Sequence, residues 1–332
     1  MPRDDASPAG RSRGGLVGGI GFTGGVIGGL IGGGSGVLFV PALDRFTTMS
    51  RARIHGSSTI ANIGVCVAGA AAYGFGGGTL DLRIAAGLTL GGIAGGVIGP
   101  RLLARASESV LRVLLIAILL LTAAKLALDA FGPPLFSQAL VPADLVANPW
   151  FLHPTTTVVG LVIGAWAGAM GLGGGLLAVP AMVLLFGVDL QVAAGTSLLM
   201  FIPNSIVGTV VHLRQGTASA WWGWLLAASS APGTVAGAFL ALALDAQVLG
   251  LVFGVFATAM AVREIVGLVR LRRRSRTGTD QDGADGPGGA GGPGRLRTRA
   301  RGSRGRSRPG RGTAAPPAAG RPGSAGRRPR GG

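Results

Sequence analysis

The sequence predicts an all-α polytopic membrane protein with about eight apolar helical segments in two homologous halves. Of its 332 residues, 48% are hydrophobic and only 13% are charged, about half the charged fraction of an average soluble domain. The 62 glycines suit close helix packing in lipid, where water does not drive helices together. Because backbone polar groups in a bilayer must be paired internally, the long apolar stretches are expected to be helices.

Eight such stretches can be read between polar breaks, and most approach the roughly 20 residues that a span needs. They cover residues 14–43, 57–77, 84–100, 110–129, 155–187, 190–211, 221–243 and 247–269. A signal peptide is the alternative interpretation of the first stretch, since Arg11 and Arg13 precede it. We disfavour it because no clear cleavage site follows and because the stretch has a counterpart later in the chain.

That counterpart reveals an internal duplication. Residues 32–43 read GGGSGVLFVPAL and residues 171–182 read GLGGGLLAVPAM, an offset of 139. At the same offset, Gly56-Ser57-Ser58 corresponds to Gly195-Thr196-Ser197. Internal repeats of this kind are common in transporters. The predicted organisation is an N-terminal segment 1–13, a first repeat 14–129, a linker 130–154, a second repeat 155–270 and a tail 271–332.

The paired glycine runs are the strongest candidates for a binding site. Each interrupts an apolar segment, and the helix that restarts afterwards offers free N–H donors and a positive dipole end, which suits an anion. Broken segments at corresponding positions of two halves indicate a transport site. The candidate substrate-binding residues are Gly33, Gly34, Ser35, Gly36, Ser57, Ser58, Gly173, Gly174, Gly175, Thr196, Ser197 and Asn204.

Each candidate also has a structural interpretation. The glycines could serve packing alone, as Gly160, Gly164 and Gly168 are expected to do. Ser57, Ser58, Thr196 and Ser197 are expected to begin helices, where N-capping is the alternative role. Asn204 lies inside a span, so its amide must face protein, water or substrate.

Little in the sequence favours catalysis. The run Gly19-x-Gly21-x-x-Gly24 lacks the surrounding strands of a dinucleotide site, and no Walker A motif occurs. Cys66 is the only cysteine, and the three histidines are scattered, so no metal site is expected. We therefore expect no cofactor and no enzyme.

Charge placement favours one topology over another. Arginines near span ends mark the cytoplasm, and eight full crossings would put the arginines of residues 44–55 outside and the linker 130–154, which has no Lys or Arg, inside. If 14–43 and 155–187 are instead hairpins that enter and leave on one side, each half crosses three times and the repeats are inverted. Residues 44–55 and the C-terminus are then cytoplasmic, and 130–154 is extracytoplasmic.

The tail 271–332 contains sixteen arginines and three aspartates, most of the formal net charge of +17. Its Arg, Gly, Pro, Ala and Ser composition predicts disorder from residue 272 onward. Weak binding to anionic lipid headgroups is the expected role. Nucleic-acid binding is disfavoured because the tail has no aromatic residue for stacking.

At the duplicated glycine motifs the chain resembles the TauE/SafE family of sulfite exporters over about residues 15–270. The second copy carries Gly173-Gly174-Gly175, Val179-Pro180 and Gly195-Thr196-Ser197, whereas the first departs from the pattern at Ser35 and Ser57. The resemblance implies export of sulfite, sulfonates or related small anions across the bacterial plasma membrane. One Lys against twenty-nine Arg also suggests GC-rich coding and a bacterial source. The alternative is a non-transporting membrane scaffold that recruits partners through its tail, and the possibility of a homo-oligomer stays open.

Overall fold

The fold was analysed in a computed structural model, which describes residues 8–33, 35–47, 49–103, 108–131, 140–170 and 175–282. Within those ranges all regular structure is helical, which confirms the predicted all-α class. The helices are α1 (Pro8–Ile31), α2 (Gly36–Phe46), α3 (Arg51–Phe75), α4 (Leu82–Leu103), α5 (Glu108–Phe131), α6 (Ala143–Ala147), α7 (Pro149–Met170), α8 (Gly175–Leu185), α9 (Leu190–Arg214), α10 (Ala220–Ala243) and α11 (Ala246–Asp282).

Eight helices of the described residues are long and apolar enough to cross a membrane, namely α1, α3, α4, α5, α7, α9, α10 and α11. The polytopic prediction is therefore confirmed. By contrast, α2 and α8 have eleven residues each and are about 16 Å long. They are too short for a hydrocarbon core of about 30 Å, so the first and fifth apolar stretches each consist of one long and one short helix.

Two hydrogen bonds, each between a helix side chain and a loop N–H, identify the two ends of the bundle. At the first end, Ser57 Oγ near the start of α3 accepts from the backbone N–H of Ser219, just before α10, at 3.1 Å. At the second end, Thr196 Oγ1 near the start of α9 accepts from the N–H of Asp81, just before α4, at 3.0 Å. We call these the first end and the second end throughout.

The short helices return to the end from which their long partners start. Along α1, Gly25 and then Gly29 approach Ser230 and then Thr234 of α10, so α1 runs parallel to α10 from the first end. After the break, α2 leads back to α3, which begins at that same end. The pair α7 and α8 does the same from the second end, where residues 140 and 141 donate to the carbonyls of residues 184 and 185.

Glycines let the long helices approach to backbone contact. A Cβ on Gly25 would lie 2.2 Å from the carbonyl oxygen of Ser230 in α10, and one on Gly164 in α7 would lie 2.1 Å from that of Gly92 in α4. Gly160 meets Leu88 in the same way. The helix pairs α1–α10 and α4–α7 therefore pack through glycine faces, as the spacing of Gly160 and Gly164 predicts.

Helix boundaries differ from the hydropathy pattern in three places. Helix α7 begins at Pro149 rather than near 155, because Asn148 Oδ1 accepts from the N–H of Trp150 and proline suits the first helical position. A short helix, α6, lies within the predicted linker. Helix α11 extends to Asp282, beyond residue 272 where the composition predicts disorder, and Leu271 to Arg274 at the start of this extension are good helix formers. Residues 283–332, on which the lipid-binding and scaffold hypotheses depend, lie outside the described part.

The glycine faces lead to a first prediction. Gly164→Ala should sharply reduce the yield and melting temperature of the purified protein, because the new Cβ would collide with the Gly92 carbonyl. Gly19→Ala in α1 is the matched control, since no heavy atom lies within 4 Å of its Cβ position. Equal thermal stability of the two variants in detergent would contradict glycine-mediated packing.

The arrangement of the ends leads to a second prediction. Reporter fusions inserted within residues 44–55 and after Asp282 should lie on one side of the membrane, and a fusion at residues 140–148 on the other. The positive-inside rule assigns the first side to the cytoplasm, because Arg45 and Arg53 lie there. A linker fusion on the same side as the C-terminal fusion would overturn this topology.

Candidate functional site

The two helix breaks meet inside the bundle. A Cβ placed on Gly33, which follows α1, would lie 3.5 Å from Cα of Gly175, the first residue of α8. Gly32 and Gly33 have φ values of +82° and +108°, a region that side chains strongly disfavour. The hairpins that enter from opposite ends therefore touch at their tips. Glycine suits the turn at both positions, and at Gly32 it is also required by the close approach of Ala194, whose Cα would lie 2.3 Å from a Cβ.

Two helix N-termini begin at this contact. Helix α2 starts at Gly36 and α8 at Gly175, and the first N–H groups of any α-helix lack partners within the helix. Ser35 precedes α2 in the capping position but makes no side-chain capping bond. The contact thus combines N–H donors with two positive dipole ends, an arrangement that attracts anions.

Instead of capping α2, Ser35 joins a polar chain that crosses between helices. Its buried hydroxyl donates to Asn62 Oδ1 of α3 at 3.2 Å. Asn62 Nδ2 in turn donates to Ser205 Oγ of α9 at 2.7 Å. Asn62 and Ser205 both lie near the middle of long helices, so neutral donors and acceptors converge beside the glycine contact.

Asn62 and Ser205 were missed by the sequence analysis. The signal for Asn62 was present, because an amide inside an apolar helix is costly unless it is paired, the same argument that selected Asn204. Ser205 carried no comparable signal, since serines are frequent in membrane helices and its partner lies 143 residues away.

The structure assigns Ser57 and Thr196 to other contacts. Each lies about two turns into its helix, since α3 begins at Arg51 and α9 at Leu190, so the expectation that they begin helices was wrong. Each accepts the hydrogen bond from a loop N–H that defines one end of the bundle. Both hydroxyl oxygens are therefore used in contacts that tie the two halves together.

Ser197 and Tyr73 hold the end of α1 in place. The buried Ser197 hydroxyl donates to the carbonyl of Gly32, and the carbonyl of Ala194 is also in range at 2.8 Å. The Tyr73 hydroxyl donates to the carbonyl of Gly29 at 3.0 Å. Both hydroxyls satisfy carbonyls that the helix can no longer pair once it breaks.

Asn204 and Ser58 carry polar atoms without partners. Asn204 faces Gly92 of α4, and its Nδ2 donates to the Met200 carbonyl at 3.2 Å, whereas its buried Oδ1 accepts nothing. Ser58 is 5% exposed, and its hydroxyl has no partner either.

Gly34, Gly173 and Gly174 lie outside the described residues. Within those residues, no three His, Cys, Asp or Glu side chains come together as metal ligands.

The polar chain leads to a third prediction. Ser205→Ala should lower the stability of the purified protein by about 1 kcal/mol, because it removes an interhelical hydrogen bond and leaves the Asn62 amide short of an acceptor. The control is Ser230→Ala, since that buried hydroxyl donates only to the Ala227 carbonyl of its own helix. If the two variants have the same melting temperature in detergent, the Asn62–Ser205 hydrogen bond does not contribute to stability.

Comparison with known proteins agrees with this architecture. The sulfite exporter TauE/SafE family matches residues 2–126 and 156–318, well over half of the chain. A curated relative from Bacillus subtilis (strain 168), the probable membrane transporter protein YunE, is 37% identical over 87 residues. That match covers 26% of this chain and 30% of the relative. No solved structure matches the chain. On the extent of the family match, the protein belongs to the sulfite exporter TauE/SafE family of membrane transporters.

Proposed function

We propose that this transporter exports sulfite or a related small sulfur-containing oxyanion across the bacterial plasma membrane. The observation that carries the proposal is the contact between Gly33 and Gly175, where two helix N-termini meet inside the bundle. Backbone N–H groups and dipoles bind an anion without a buried charged side chain, whose cost in a membrane would be high.

The residues around this contact suit an oxyanion that must leave again. Ser35, Asn62 and Ser205 offer neutral hydroxyl and amide groups. Neutral hydrogen bonds are individually modest, about 0.5–1.5 kcal/mol, so together with the dipoles they favour binding without trapping the anion. The site proposed here therefore includes Gly33, Ser35, Gly36, Gly175, Asn62 and Ser205, together with Gly34, Gly173 and Gly174 of the two glycine runs.

Corresponding contacts support an inverted-repeat mechanism. Helix α1 of the first half packs on α10 of the second, and α7 of the second packs on α4 of the first. At an offset near 139, the loop contacts of Ser57 and Thr196 also correspond. In such an arrangement, one half can rock against the other around a fixed site and open it to each side in turn.

Charge supports the direction of export. Among described side chains, the first end carries Arg45, Arg53 and Arg214 together with Asp44, and the second end carries Asp81, Asp144, Asp189 and Asp245 together with Arg83. Basic residues at span ends mark the cytoplasm, and they also raise the local concentration of anions. The first end is accordingly assigned to the cytoplasm, and the anion moves from there outward.

A flux assay tests the proposal. Proteoliposomes containing the protein should release internal sulfite faster than empty liposomes, and Gly33→Val should abolish this flux because its side chain would enter the contact with Gly175. Gly77→Val is the control, since Gly77 also has a positive φ, +86°, but its Cβ position is open. Both variants therefore bear a similar backbone strain of about 1–3 kcal/mol.

Flux is compared at equal amounts of folded protein in the membrane, with sulfonates and thiosulfate as further substrates. Wild-type flux equal to that of empty liposomes for every anion would refute the transport proposal. Equal flux in Gly33→Val and Gly77→Val would leave transport standing and place the site away from the glycine contact.

A further inference from the structure

The interface between α3 and α9 has a regular register. The two helices run antiparallel, and contacts join Gly69 with Leu198 and Asn62 with Ser205. Thr59 with Gly208 continues the series at equal spacing on both helices. Continuing this register places Ser58 opposite Thr209 and His55 opposite His212. An electrostatic interaction between the two histidines agrees with that placement.

Three polar levels therefore lead from the glycine contact to the first end of the bundle. They are formed by Asn62 with Ser205, Ser58 with Thr209, and His55 with His212, and we call these six residues the polar seam. On α3 they recur at spacings of three and four residues, and on α9 at four and three, so each set follows one face of its helix.

The middle level has hydroxyls that bond to nothing in the protein. Ser58 and Thr209 are 5% and 6% exposed, and neither hydroxyl has a partner. Other helical threonines donate to the carbonyl four residues earlier, as Thr59 does to His55 at 3.0 Å and Thr234 to Ser230 at 2.8 Å. Because an unpaired buried hydroxyl is costly, these two are suited to a ligand.

The polar seam occupies only the half of the α3–α9 interface that faces the first end. On the side of the second end, the same register brings Cys66 opposite Phe201, Gly69 opposite Leu198 and Tyr73 next to Ala194. The Tyr73 hydroxyl is already used by the Gly29 carbonyl. The two unpaired hydroxyls of the seam, on Ser58 and Thr209, therefore lie in the half of the interface that faces the first end.

The charges of the two helices select an anion as that ligand. Helices α3 and α9 contain three formally charged residues, Arg51 and Arg53 in the first turn of α3 and Arg214 at the end of α9, and both of these helix termini are at the first end. Neither helix contains a carboxylate that would attract a cation. Hydroxyl and amide donors behind a basic mouth match the hydrogen-bond acceptors of an oxyanion.

We propose that the polar seam is the path along which the anion moves between the first end and the Gly33–Gly175 contact, with Ser58 and Thr209 donating to it on the way. The proposal rests on the transport function proposed above. It adds three residues that the sequence analysis did not select, namely His55, Thr209 and His212, and it gives Ser58 a specific role.

The test compares two isosteric substitutions. Thr209→Val removes an unpaired hydroxyl, so it should slow sulfite flux about 2- to 10-fold while leaving the melting temperature equal or higher. Thr59→Val removes a hydroxyl that is bonded within its own helix, and it should transport like wild type. Equal flux in the two variants, with wild type active, would overturn the seam, whereas an inactive wild type would count against the transport proposal itself.

A second measurement needs no substrate. In a Cys66→Ala background, Ser58→Cys and Thr209→Cys should react with a small anionic methanethiosulfonate added at the first end. Ala70→Cys should not, because Ala70 is equally buried, at 6% exposed, but lies beyond Asn62 toward the second end of α3. Labelling of the first two no faster than that of Ala70→Cys would overturn the proposal even in a protein that moves sulfite.

Discussion

Contact between helix backbones through glycine is the interaction on which the rest of this structure depends. It lets α1 lie against α10 and α7 against α4 closely enough that carbonyl oxygens fill the space of missing side chains. These two pairs fix the long arms of both hairpins, and their tips then meet at Gly33 and Gly175. The proposed site is consequently built from backbone, and the helix N-termini that form it are held in place by packing far from the Gly33–Gly175 contact.

The sequence predicts the parts of this site that repeat and misses the parts that depend on tertiary register. The breaks at Gly33 and Gly175 follow from a local pattern present twice in the chain. The partnership of Asn62 with Ser205 depends on how α3 crosses α9, and no local pattern encodes that crossing. The sequence-based boundary of α7 differs from the observed one for a simpler reason. Hydropathy marks only the apolar part of a helix, whereas Asn148 and Pro149 start α7 before its apolar part begins.

The two halves share a framework but have diverged in chemistry. Glycines and loop contacts correspond across the repeat, as with Ser57 and Thr196. The polar groups of the Asn62–Ser205 pair do not correspond, because Asn62 aligns with Phe201 and Ser205 with Cys66 at the offset of 139. A symmetric duplicate would present identical surfaces to both sides of the membrane. Divergence of the inner polar residues instead makes the two halves of the α3–α9 interface chemically different, polar toward the first end and apolar toward the second.

The pairing of α1 with α10 also sets a constraint on biosynthesis. Gly25 and its contact residue Ser230 are 205 positions apart, so at ordinary rates of translation α1 emerges roughly 10–40 s before its partner. During that interval its glycine face meets lipid or another helix. Neither half can complete its own core, because each half contains only one helix of the α1–α10 pair and one helix of the α4–α7 pair. Premature release of the nascent chain after α9 would therefore leave the first hairpin unsupported, and quality-control proteases should recognise that intermediate.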